Sequence, residues 1–167
     1  MRALVYSDLH LEMADCTPPR DVDLAVDVVL LLGDIHVGTK GIEWAKKNFS
    51  VPVLYVLGNH EYYGGAFPRT LDKCRAEDAG SHVQILDRDE VIIGDVRFLG
   101  ATLWTDFALF GEGGQLRAME EARFRMNDFH KIRHYFFLSK AHAPRCAQGM
   151  FCIKSLFTKG PRRTFYN

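Results

Sequence analysis

No stretch of this chain approaches the ~18 consecutive apolar residues that a membrane-crossing helix needs, so no such helix is expected within it. One basic residue and a run of four apolar ones precede Ser7-Asp8, far short of a secretory leader, and a cleaved signal peptide is not expected. None of Cys16, Cys74, Cys146 and Cys152 pairs with another at CxxC spacing. That removes the commonest zinc-site signature, and scattered thiols fit a reducing, cytoplasmic compartment better than a disulfide framework. Internal repeats and low-complexity tracts are missing too. The most localised absence is of acid. Residues 1–130 hold 13 Lys/Arg and 21 Asp/Glu, whereas residues 131–167 hold eight Lys/Arg and no Asp or Glu. A formal net charge of zero therefore conceals an acidic body and a basic tail.

What is present suits one globular domain. The 167 residues are 47% hydrophobic and 25% charged, enough for a sizeable core under an ordinary polar surface. Three runs rich in Val and Leu (3–6, 28–32 and 53–57) are continuous rather than alternating, as strands covered on both faces require. Between the second and third, GIEWAKKNF (41–49) sets Ile42, Ala45 and Phe49 at helical spacing. FPRTLDKCRAEDAG (67–80) begins with a helix-compatible proline and stops at glycine. This βαβα rhythm predicts an α/β layered fold with a largely parallel sheet. HVQIL (82–86) and EVIIGDVRFLGATLW (90–104) predict further strands, the latter a hairpin turning at Gly94-Asp95. Residues 111–133 read as one helix beginning after its glycines, and 131–167 show no clear periodicity beyond a short apolar run at 135–138.

Each of the three runs ends in polar chemistry. RALVYSDLH (2–10) delivers Asp8 and His10, VVLLLGDIHVG (28–38) delivers Asp34, and VLYVLGNHEYYGG (53–65) delivers Asn59 and His60. In open α/β sheets ligands sit beyond the carboxyl ends of the strands, so parallel neighbours would collect these five side chains at one edge. Carboxylate, imidazole and amide oxygen form a mixed donor set suited to Mn²⁺, Fe or Zn²⁺. If the chain stays extended, Asp8-Leu9-His10 points both polar side chains the same way. A carboxylate such as Asp34 can bridge two cations, and the glycine before it permits close backbone approach.

DxH at 8–10, GD at 33–34 and GNHE at 58–61, each closing a strand, resemble the first three motifs of the calcineurin-like metallophosphoesterases. GATLWTDF (100–107) is similar to a segment of small bacterial members and extends a weaker likeness to about residue 130. The resemblance implies a layered β-sandwich flanked by helices and two divalent metal ions (Mn, Fe or Zn). Asp8 and His10 would bind the first ion, Asp34 would bridge both, and Asn59 would bind the second. His60 would be catalytic rather than a ligand, donating to the leaving oxygen or a phosphoryl oxygen. Two ions ~3.5–4 Å apart would polarise the phosphate and hold a hydroxide for in-line attack, making the chain a phosphomonoester or phosphodiester hydrolase.

The chain departs from that pattern downstream. The family ends its site with a later histidine and a final GHxH; no GHxH exists here, and His142 in KAHAPR (140–145) is the one candidate for the earlier element. Residues 1–130 are therefore read as the N-terminal part of a metallophosphoesterase-like domain, incomplete in its C-terminal half, and 131–167 as an atypical basic tail, either a rearranged C-terminus or, the favoured reading, the product of a truncated or frame-shifted gene. The corresponding alternative is a catalytically inactive derivative with a partial metal site. A lesser alternative is nucleic-acid binding through the tail, where eight basic residues alternate with aromatics; lacking a recognisable module, nucleic acid is not the expected partner. Outside the motifs, Glu61 is expected to fix its loop and His36 to be a partly exposed loop residue. His82, His130 and His134 are read as structural or surface residues, Trp44 and Trp104 as core.

Overall fold

A computed structural model describes residues 1–19, 25–134 and 157–158. Its centre is a four-stranded parallel sheet with strand order β1-β2-β3-β5, formed by β1 (Ala3–Tyr6), β2 (Val28–Leu32), β3 (Val53–Val56) and β5 (Val83–Ile85). The register pairs Leu4 with Val29 and Leu30 with Leu54. β3 is buried throughout and β2 in all but its last residue, which is why both read as unbroken apolar runs.

Side chains alternate across a strand, so each run feeds two cores. Val29, Leu31, Val53 and Tyr55 point to one face. There they pack with Ile42 and Ala45 of helix α1 (Lys40–Asn48), and with Leu71 and Cys74 of helix α2 (Arg69–Asp78). Burial there pushes the Cys74 thiol up to about 12. Val28, Leu30, Leu54 and Val56 point to the other face and meet Leu86 and Phe98. Phe98 belongs to the hairpin of β6 (Asp89–Ile93) and β7 (Val96–Gly100), with Val91, Ile93 and Val96 packed around the same cluster. The hairpin turns at Gly94-Asp95 as expected, with Gly94 at φ 61°, the left-handed conformation such tight turns demand. Both expected helices lie within a residue or two of their predicted bounds. Trp44 and Trp104 pack against the helix-side core as expected.

Two expectations change here: β1 is an edge strand whose Ala3 and Val5 are exposed rather than covered on both faces, and the predicted long helix is interrupted. The single helix predicted over 111–133 is broken into α3 (Glu112–Arg125) and α4 (Asp128–Lys131), with Met126 extended at φ −101° and ψ 129°. The break turns Asp128 inward, where it is buried. Beyond it, β8 (Arg133–His134) pairs in parallel with β4 (Ala66–Phe67), and β9 (Phe157–Thr158) pairs with β7. No helix among the described residues is long and apolar enough to cross a membrane.

Candidate metal centre

Because β1, β2 and β3 are parallel neighbours, their carboxyl ends open on one edge, and the polar residues collect there. The chain leaving β1 then tracks the chain leaving β2. Asp8 N–H donates to Gly33 O (3.1 Å), His10 N–H to Asp34 O (3.0 Å) and Leu11 N–H to Ile35 O (2.9 Å). The extended Asp8-Leu9-His10 expected from sequence is corrected here. Asp8 (φ 54°) and His10 (φ 47°) are left-handed, as is Asp34 (φ 56°). Left-handed backbone costs about 1–3 kcal/mol at a non-glycine residue and persists only where the surroundings enforce it. Three of the five described non-glycine residues in this conformation are sequence-predicted ligands. The ligand atoms of Asp8, His10 and Asp34 lie within 4.8 Å of one another.

The two motif glycines make that approach possible. Gly33 sits at φ 81°, and a Cβ there would come within 2.9 Å of the Gly58 Cα. A Cβ on Gly58 would collide with Asp34 Oδ1, so only glycine leaves room for that carboxylate. Asp34 Oδ1 accepts the His60 N–H at 3.0 Å, tying the second strand end to the third.

Glu61 locks the same junction from beneath. It is fully buried. Its Oε2 accepts from the N–H groups of Gly58 (2.7 Å) and Asp34 (3.0 Å), and its Oε1 from Ile35 N–H (2.8 Å) and Tyr55 O–H (2.7 Å). Burial pushes its carboxyl up, opposed by the Tyr55 and Ile35 hydrogen bonds. With four donors on two oxygens, Glu61 fixes the loop, as expected from its place after the motif.

Around His60 lies a cluster that the motifs did not announce. His60 Nδ1 donates to Glu12 Oε1 at 2.6 Å, and His10 Nδ1 sits 3.2 Å from His60 Nδ1 and 3.5 Å from the same Glu12 oxygen. The His60 ring packs between His10 and Tyr63, each at a centroid distance of 4.3 Å. His10, Glu12 and His60 thus form a second group whose ligand atoms fall within 4.8 Å. Burial raises the Glu12 carboxyl, but hydrogen bonds from His60 and His10 outweigh it and hold the group below its ordinary value. His36 is the half-buried loop residue expected: its Nδ1 accepts Val37 N–H at 2.8 Å and lies 3.9 Å from Glu12 Oε2. Burial lowers its pKa, with Lys40 adding to the effect.

Asn59 makes a different kind of contact. Its Nδ2 donates to Asp128 Oδ1 (2.7 Å) and to the Tyr63 hydroxyl oxygen (3.2 Å), while Tyr63 O–H donates to the same Asp128 oxygen (2.7 Å). Burial, then the bond to Asp128, raises the Tyr63 pKa. The Lys131 ammonium lies 4.8 Å from the Tyr63 ring centroid.

The residues present fit a divalent ion. Asp8, His10 and Asp34 combine two carboxylates and an imidazole within reach of one point, and Gly58 leaves room for the Asp34 carboxylate. His142 lies outside the described residues. Glu12 and Asp128 were missed by sequence reasoning. Glu12 has a signal in hindsight, continuing the alternation Asp8-x-His10-x-Glu12. Asp128 has none, its partners lying 65 and 69 residues away.

No family model and no solved structure matches this chain. An uncharacterized protein of Acanthamoeba polyphaga mimivirus is 30% identical over 131 residues, covering 65% of this chain and 46% of that protein. The chain therefore spans about half the length of the curated relative it matches.

Proposed function

We propose that this chain is a metal-dependent phosphoesterase of the calcineurin-like kind, a hydrolase of phosphomonoesters or phosphodiesters. The observation that carries the reading is the meeting of Asp8, His10 and Asp34 at the ends of adjacent parallel strands. Asp8, His10 and Asp34 would hold one divalent ion, and Asp34 with Asn59 a second. Bound there, such ions would polarise a phosphoryl group and lower the pKa of a water. His60 has its Nδ1 engaged by Glu12, which leaves Nε2 as the atom to face a substrate oxygen; in the imidazolium form it would donate its Nε2 proton there and keep the Nδ1–H on Glu12. Glu61 and the paired glycines keep the strand ends from relaxing while charge shifts at the phosphate. The hairpin packed across the sheet supports the two-layered sandwich that this activity accompanies.

A specific observation favours a second reading. Among the described residues the second ion has two donors against three for the first, which suits a derivative with a partial site and no turnover. Hydrolysis of an aryl phosphate monoester and diester with added Mn²⁺ separates the two. The active reading expects metal-dependent turnover that Asp34→Asn lowers by about 100-fold or more. Soluble, folded wild-type protein without turnover above background would leave the partial site as the correct description.

A further inference from the structure

We infer that Asp128 is a positioning residue that decides which atom of the Asn59 amide is offered to a divalent cation. The inference rests on the two-ion reading above and deepens it. An asparagine side chain has a donor end and an acceptor end of nearly the same shape, so its orientation is set by what each end meets. An ionised carboxylate can only accept. Facing Asp128 Oδ1 at 2.7 Å, Asn59 must present Nδ2, and the oxygen is thereby turned to the opposite side.

Tyr63 completes the arrangement. Its hydroxyl proton goes to Asp128 and its oxygen accepts the other Nδ2 proton. Three polar groups close a ring in which every described donor is used, and the Asn59 oxygen is not among the acceptors. Asp128 is 4% exposed, so water competes little for its carboxylate. The helix break at Met126 is what brings it there. The C-terminal end of the α3–α4 segment thus reaches back to a motif 69 residues earlier and orients its ligand.

Calorimetric titration of the full chain with Mn²⁺ tests this. Wild type should show two binding events. Asp128→Asn, which can donate or accept toward Asn59, should weaken one event by ~10-fold or more and leave the other unchanged. Tyr63→Phe keeps the Asp128–Nδ2 bond and should shift that event by less than about 3-fold. In the double variant Asn59→Asp/Asp128→Asn, both atoms at position 59 are oxygens and the new amide can donate to either. The weakened event should return to within about 3-fold of wild type. Undiminished binding in Asp128→Asn, equal weakening of both events, or no rescue in the double variant would overturn the positioning role while sparing the two-ion reading. Fewer than two events in wild type would overturn that reading and this inference together.

Discussion

At the scale of single residues, the Glu61 carboxylate joins the N–H groups of two backbone turns, at Gly58 and at Asp34-Ile35, and ties both to β3 through the Tyr55 hydroxyl. Each of those N–H groups is an obligatory donor that would otherwise be buried without a partner. Glu61→Gln retains the shape but replaces one acceptor oxygen with an amide NH2 that faces N–H or O–H donors. The expected loss is about 3–5 kcal/mol, the range for leaving buried polar groups unpaired or breaking a buried charged network. Urea unfolding near neutral pH measures it, and a loss under about 1 kcal/mol would mean that the loop is held some other way. Gly58 is required because a Cβ there would collide with the Asp34 carboxylate, whose backbone N–H is held by Glu61.

At the scale of elements, the hairpin β6–β7 is attached to the sheet largely through Phe98, 3% exposed among Val28, Leu30, Leu54 and Val56. Phe98→Ala should cost about 3–5 kcal/mol by deleting the ring and leaving a cavity. Thermal or urea unfolding reads the loss, and a change below about 1 kcal/mol would show that the hairpin does not share the sheet's core. Elements of this kind were legible in the sequence because burial on both faces leaves no polar interruptions in 28–32 and 53–57. The helix break at Met126 was not. Residues 111–133 have no proline or internal glycine near the break to mark it, and what turns the chain is a tertiary bond from Asp128 to Asn59 and Tyr63. The left-handed turns at Asp8 and His10 were hidden for the same reason, since the carbonyls that hold them belong to another strand end.

At the scale of the whole molecule, the parallel order of β1, β2 and β3 is what turns three separate motifs into one site. The motif residues could be named from sequence because each follows its own apolar run. Their supports could not. Glu12 reaches His60 over 48 residues and Asp128 reaches Asn59 over 69, and no local pattern encodes such pairings. His142 remains an expectation from sequence. On the proposed function, the strand ends converge on Asp34 and its carboxylate would join two divalent ions. Electron paramagnetic resonance of the Mn²⁺-loaded chain addresses it most directly, because two Mn²⁺ ions sharing a carboxylate couple their spins and lose the signal of isolated ions. Wild type should give a coupled spectrum and Asp34→Asn an isolated-ion spectrum. An isolated-ion spectrum in wild type at saturating Mn²⁺, or an unchanged coupled one in the variant, would contradict a shared Asp34 carboxylate.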